Sequence, residues 1–393
     1  VSRLDGVRAI AALAVICFHV WLYRLDRPHG DRTELLDQVL ANASTGLICF
    51  FVLSGYLLYD AFARAALTGG PAVAIVPYLR RRAARILPAY WVCGAGCLVL
   101  YAAVGYRSIT PSAHELPVYA LFLQNYSLST MGRLNPVMWT LGVEMAFYAL
   151  LPLVGWLALR LGPGRIRAQV VLVLALIAVS PAWDLVVLEQ GWNTVAERAL
   201  PAYVGCFGLG MLVAVWARWR RSGERARGQL GALATAALVA AAVLVVAGDG
   251  IWHENGWWLH EGIFSQSFLR PSVQLEALGH LGEAAGFALL IAAAACGSGP
   301  AVAWLGWRPL AALGVISYGL YLWHVPLLIA MREAGLLPEA LAPRLLVVLA
   351  VSIAAAAASW RWIERPWIER RSMAQRGQQR RLAARAAAAE PAG

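Results

Sequence analysis

The sequence predicts an all-α, polytopic integral membrane protein of about ten transmembrane helices, with both termini in the cytoplasm. Three observations predict it. Hydrophobic residues make up 60% of the chain and charged residues only 14%, whereas soluble domains carry about a quarter charged residues. The apolar residues fall into runs near the length of about 20 residues that crosses a bilayer as a helix. The arginines concentrate on alternate connections between those runs, as the positive-inside rule requires.

The runs place spans at residues 6–22, 44–66, 84–105, 138–160, 168–188, 198–217, 229–248, 275–296, 310–331 and 343–362. With the N-terminus inside, the clusters at 80–85, 160–167 and 218–227, Arg64, Arg308 and the segment after residue 360 fall on the cytoplasmic side. Together with Arg3 and Arg8 these hold 24 of the 33 arginines. Every basic residue is an arginine, and the net charge is +11. That charge sits on short loops between apolar runs. It therefore sets membrane topology and does not read as a nucleic-acid footprint. No strong internal repeat is visible, so the two-halves plan of many transporters is not indicated. The organisation is a transmembrane domain over 1–366 followed by a basic, disordered cytoplasmic tail over 367–393.

Two connections on the far side are substantial. Residues 106–137 contain "HELPVYALFLQNYS", too short to span, which fits an interfacial or re-entrant element. Residues 249–274 are rich in tryptophan, histidine and acids, a composition that suits an interfacial aromatic belt or a lip that stacks on sugar rings. All six cysteines lie within apolar runs, which makes them buried thiols; no metal site is expected.

The stretch "VRAIAALAVICFHVW", residues 7–21, carries Arg8 and His19 in otherwise apolar sequence. Eleven residues are close to three helical turns, so both side chains share one helix face, roughly 16 Å apart along the axis. They mark two depths of one wall. Arg8 alone reads as a snorkelling topological arginine steadied by Asp5, and His19 alone as an interhelical hydrogen bond. Counting from the span ends puts Glu144, His324, His280 and Glu283 in the same outer layer as His19. Ionisable groups within spans mark functional sites.

On the opposite side Arg82 and Arg85, three residues apart, share a helix face. With Arg80 and Arg81 they make a dense cationic cluster whose planar guanidinium groups suit phosphate oxygens. Ser54 and Gly55, between bulky residues, read as a close helix-packing point.

Taken together, Arg8 and His19, "FFVLSGY", "RRAARILPAYW", "WTLGVE", "SYGLYLWHVP" and the closing "WIERP" resemble the membrane-bound acyltransferase-3 family of O-acyltransferases, in order and over nearly the whole chain. The resemblance implies transfer of an acyl group from acyl-CoA to a hydroxyl of a glycan or glycosylated small molecule. The donor is then a co-substrate, and no cofactor or metal is resident. It implies a bacterial cytoplasmic membrane location and, from the chain's end soon after the tenth span, a stand-alone form without an extracytoplasmic domain. It makes His19 and Arg8 the essential pair and turns Arg82 and Arg85, with Arg81, to the donor. On this reading His19 is the catalytic base or forms an acyl-histidine. Glu144 is expected to hold the His19 ring. His324, with Tyr318, Glu283 and His280, is expected to meet the acceptor or the oxyanion.

Buried charges at a common depth also suit a transporter or flippase of a lipid-linked substrate. A non-catalytic membrane receptor is the third reading. Acylated product formed in detergent, without a gradient, separates the first from the second.

Overall fold

The computed structural model describes residues 2–23, 35–162, 164–192, 194–221, 234–243 and 273–369. The first helix, α1 (Arg3–Leu22), starts at a capping box. The Ser2 hydroxyl accepts from the Leu4 amide, and the Asp5 carboxylate accepts from the Ser2 amide at 3.2 Å. Asp5 thus secures the helix start five residues into the chain.

Next come α2 (Leu35–Asn42), α3 (Gly46–Thr68), α4 (Ile75–Ala103) and a short α5 (Leu116–Ala120). The long helices α6 (Trp139–Arg160) and α7 (Ile166–Gln190) follow, then the single turn α8 (Thr194–Glu197) and α9 (Leu200–Arg221). The chain continues through α10 (Ala234–Val243), α11 (Val273–Cys296), the short α12 (Pro300–Ala303), α13 (Arg308–Val315), α14 (Ser317–Glu333) and α15 (Leu341–Ser359). Eight helical segments among the described residues are long and apolar enough to cross a membrane. The pair α13–α14, bent by 69° at Ile316, makes a ninth if it is one span. These nine correspond to nine of the ten runs in the sequence. The remaining run, 229–248, is described only over the ten residues of α10. The aromatic segment 249–272 and the tail from 370 onward lie outside the described residues.

The most extensive helix pairing is α3 against α9. It is a backbone-to-backbone crossing. A Cβ on Gly55 would overlap the Phe207 carbonyl, and one on Gly210 would overlap the Val52 carbonyl. Small residues let membrane helices approach this closely, where dispersion rather than the hydrophobic effect holds them. The bidentate Arg218–Asp60 ion pair fastens the same two helices at one end. Gly55 is thus a packing residue, as its sequence context suggests, while its neighbour Ser54 faces the interior site described below.

Residues 106–138 do not cross the membrane. They form a folded cover of short 3-10 turns and α5. Arg133 ties it together, donating to Glu115 at 3.1 Å and to the Thr110 carbonyl at 2.7 Å. Tyr90 of α4 donates to the Tyr119 carbonyl at 2.8 Å, and Asn125 to the Trp139 carbonyl at 2.7 Å. These bonds seat the cover on the middle of α4 and the start of α6. The Glu115 carboxyl is held below the usual carboxylate range, chiefly by the Ser112 hydroxyl at 2.6 Å, then by the Ser112 amide and the Arg133 guanidinium.

Candidate active site

Pro326 explains part of the site before any function is considered. Inside α14 it has no amide to offer the Leu322 carbonyl four residues back. That carbonyl takes substitutes: Asn135 donates to it at 2.9 Å and Cys93 at 3.3 Å. The freed backbone group thereby pins α14 to α4 and to the loop before α6. This fixes the turn that carries Tyr321 and His324.

Two interior cavities lie along α1. The larger, of about 350 Å³, is lined by Arg8 from α1, Ser54 from α3, Arg82 and Arg85 from α4, Glu144 from α6 and Tyr318 from α14, among others. Arg8 has Arg85, Asp5 and Glu144 within electrostatic reach. Arg82 Nε is buried without a hydrogen-bond partner. Neither Arg8 nor Arg85 makes a hydrogen bond or ion pair among the described residues. All three side chains are half-buried and line the cavity. A buried donor such as Arg82 Nε is costly to leave unpaired, so the cavity favours an occupant that brings oxygen acceptors.

The four-arginine cluster of the sequence divides here. Arg82 and Arg85 line the cavity, but Arg80 and Arg81 are exposed. The reason is helical geometry: one residue turns the side chain by about 100°, and three residues nearly complete a turn. Arg81, expected beside Arg82 and Arg85, does not line this cavity.

The smaller cavity, of about 110 Å³, is lined by Phe18 and His19 from α1, Tyr23 just after it, Trp139 and Thr140 from α6, Arg198, and Tyr321 from α14, among others. His19 Nδ1 lies 2.8 Å from the Val15 carbonyl, and His324 Nδ1 lies 3.0 Å from the Leu320 carbonyl. A carbonyl only accepts, so each Nδ1 carries the proton, and each neutral ring keeps its Nε2 lone pair. His324 Nε2 lies 3.2 Å from His19 Nδ1. The His19 Nδ1–H is therefore shared between Val15 and His324, which holds the ring and leaves Nε2 as a base.

Glu144 does not hold that ring. It accepts from the Ser54 hydroxyl at 2.6 Å and belongs to the arginine cavity. Residue counting gives depth along a helix but not the face, and Glu144 faces α3. His324 occupies the position expected of Glu144. With its Nδ1–H spent on Leu320, a neutral His324 has no proton at Nε2 to offer an oxyanion. Tyr318 also belongs to the arginine cavity and donates to the Ile86 carbonyl at 3.0 Å. His280 and Glu283 line neither cavity. On α11 the His280 ring packs 5.5 Å from the Tyr203 ring of α9, and Glu283 is buried beside Cys206. The common layer read from the sequence thus resolves into a histidine pair, a carboxylate among arginines, and a separate packing site.

Sequence reasoning assigned no role to Glu364. It sits in a π-turn, Trp360–Glu364, that extends α15, where it is 2% exposed and accepts from Ser359 at 3.1 Å. Arg85 and Arg8 lie within its electrostatic reach. It does not line the arginine cavity, but its carboxyl group stands within reach of two of the cavity's arginines. The available signal was an acid within the closing "WIERP"; its direction depends on the extra residue of the π-turn, a device common at functional sites.

A polytopic membrane helix bundle with a cationic cavity at one depth and paired imidazoles at another defines the class: a membrane protein with an ionisable interior site. The chain belongs to the acyltransferase-3 family, whose model, described as an acyltransferase domain, matches residues 1–361. It is 25% identical over 385 residues to YrhL of Bacillus subtilis, named as a candidate peptidoglycan O-acetyltransferase, covering 93% of this chain and 54% of that protein. It is 22% identical over 375 residues to the O-acetyltransferase OatA of Staphylococcus aureus, covering 92% and 56%. A shorter match, 26% over 170 residues, covers 39% of this chain and 43% of nodulation protein 10 of Rhizobium leguminosarum. The chain thus spans about half the length of the long relatives it matches. No solved structure matches it.

Proposed function

We propose that this protein is a multi-pass O-acyltransferase of the bacterial cytoplasmic membrane. It moves an acyl group, acetyl or another short chain, from acyl-CoA to a hydroxyl of a glycan or glycosylated small molecule. The arginine-rich face and both termini lie in the cytoplasm, with residues 1–366 as the enzyme and 367–393 as a basic tail. Family membership and the O-acetyltransferase names of the long relatives support the reaction class. The observation that carries the donor assignment is the unpaired Arg8, Arg82 and Arg85 around one cavity.

In this reading the phosphates of coenzyme A dock on the three guanidinium groups, which match phosphate oxygens in geometry and charge. Glu144, in the cavity, offsets part of the positive charge when the donor is absent. The acyl-bearing arm reaches toward His19. His19 Nε2 takes the proton of the acceptor hydroxyl as its oxygen attacks the thioester carbonyl carbon. A C–O bond forms, the C–S bond breaks, and the coenzyme A thiolate takes up the proton that the imidazolium releases. His324 contributes through its Nε2 lone pair, which accepts a stronger, charge-assisted hydrogen bond from Nδ1–H once His19 is positive. Apolar walls keep water from the thioester.

The test is to incubate purified protein in detergent with radiolabelled acetyl-CoA and soluble peptidoglycan fragments. Labelled fragments, absent with His19→Ala, support the reading. Unlabelled fragments from active preparations, with substrate movement only across sealed membranes, would favour a transporter instead.

A further inference from the structure

The arginine cavity and the histidine cavity have three lining residues in common: Leu47, Thr140 and Tyr321. Thr140 stands in the first turn of α6 and Tyr321 in the second turn of α14. Their hydroxyl oxygens are 2.6 Å apart. Each also lies near the Val137 carbonyl, Thr140 at 3.0 Å and Tyr321 at 2.9 Å. Two hydroxyl protons thus serve three close contacts. The Tyr321 ring packs 6.1 Å from the Phe50 ring, which lines the arginine cavity, and 5.9 Å from the His324 ring, which contacts His19. One side chain therefore stands between the two halves of the site, latched by a bond between neutral hydroxyls.

We propose that Thr140 and Tyr321 form an internal barrier that opens for the amide-bearing arm of the donor, and that their hydroxyls bind the amides of that arm while it passes. This rests on the acyl-CoA reading above. An apolar plug would exclude water equally well, but it would offer a threading arm nothing in return. Here Tyr321 leaves both Thr140 and the Val137 carbonyl, Thr140 turns its proton to Val137, and on balance one neutral hydrogen bond of modest strength is given up. The arm's N–H and C=O groups replace it. Between turnovers the closed pair separates the thioester side from water on the His19 side. Leu47 and Phe50 supply the apolar remainder of the wall. Pinning of α14 through the Leu322 carbonyl keeps Tyr321 in register with Thr140.

The test uses the full chain in sealed vesicles of known orientation, carrying His19→Cys as a reporter, with the parent chain as the blank for its native cysteines. A charged, membrane-impermeant thiosulfonate reagent is added from the face that bears Arg82 and Arg85. The reporter is expected to react slowly in the otherwise native chain. With Tyr321→Phe and Thr140→Val added, which keep the wall but remove its hydrogen bonds, the rate should rise by up to about tenfold, the shift that loss of one ordinary hydrogen bond produces. With Tyr321→Ala it should rise further. Thermal unfolding in detergent verifies that each variant is folded, and the isosteric pair stays informative if Tyr321→Ala is not. Fast labelling in the native background, or equal rates in the native background and both folded variants, overturns the barrier. Because labelling needs no acyl transfer, that failure is distinct from failure of the acyltransferase reading, which would show as no labelled acceptor from the parent chain.

Discussion

His324 Nε2 lies 3.2 Å from His19 Nδ1, joining α14 to α1 at the base proposed for acyl transfer. The contact makes His324 a positioning residue rather than a second base. His19→Ala is expected to remove the general-base contribution, about 10²- to 10⁴-fold in kcat. His324→Ala is expected to cost about tenfold, the scale of one hydrogen bond, with KM for acyl-CoA unchanged. His324→Gln, whose amide oxygen can accept near the place of Nε2, should recover part of the loss. Steady-state kinetics with separate variation of donor and acceptor checks both, and equal losses in the two alanine variants would contradict the division of roles.

Arg82→Ala and Arg85→Ala should each raise KM for acyl-CoA by about tenfold or more, as charge-assisted hydrogen bonds contribute about 1.5–3 kcal/mol each. Arg81→Ala should change it little, because Arg81 is exposed on the outer side of α4. Isothermal titration with coenzyme A reads the same contrast without turnover. A larger effect at Arg81 than at Arg82 would place the phosphates elsewhere.

Gly55→Ala adds a methyl where the Phe207 carbonyl lies, so α3 and α9 must separate. Overpacking of this kind costs about 1–3 kcal/mol. The expected result is a lower unfolding temperature in detergent and a reduced yield. A Gly55→Ala protein as stable as the parent would contradict the backbone-to-backbone crossing.

The cover over residues 106–138 should loosen in acid. The folded-state pKa of Glu115 is depressed, chiefly by the Ser112 hydroxyl. Its stabilisation is therefore fully present above the ordinary carboxylate range and is lost as pH falls through the depressed value. Limited proteolysis of this segment should accelerate across that interval in the parent and show a flatter profile in Glu115→Gln. The same acid dependence in both would assign the loosening to another group.

Much of the fold was legible because a bilayer permits few solutions: apolar runs of this length must be helices. Among the described residues nine runs correspond to helices, and the bend at Ile316 divides one of them. The site was legible in part. Arg8 and His19 stand at two depths of one helix as expected, because three turns of α1 set their spacing without help from other elements, but they line two cavities rather than one wall. His324 took the place expected of Glu144, and Glu144 turned to Ser54 and the arginines, because their partners depend on which neighbour each helix faces. No pattern within one helix encodes that. Arg81 stands outside the cavity for a simpler reason, since adjacency in sequence is not adjacency on a helix. Glu364 was missed because the π-turn that directs it leaves no mark on the hydrophobic period.

The most direct test is acyl transfer by the purified full chain in detergent, from radiolabelled acetyl-CoA to peptidoglycan fragments, comparing the parent with His19→Ala and with Arg82→Ala/Arg85→Ala. The account requires label on the fragments with the parent, none above background with His19→Ala, and restoration of the arginine variant's rate at high donor concentration. Label transferred at the parental rate by His19→Ala would contradict it.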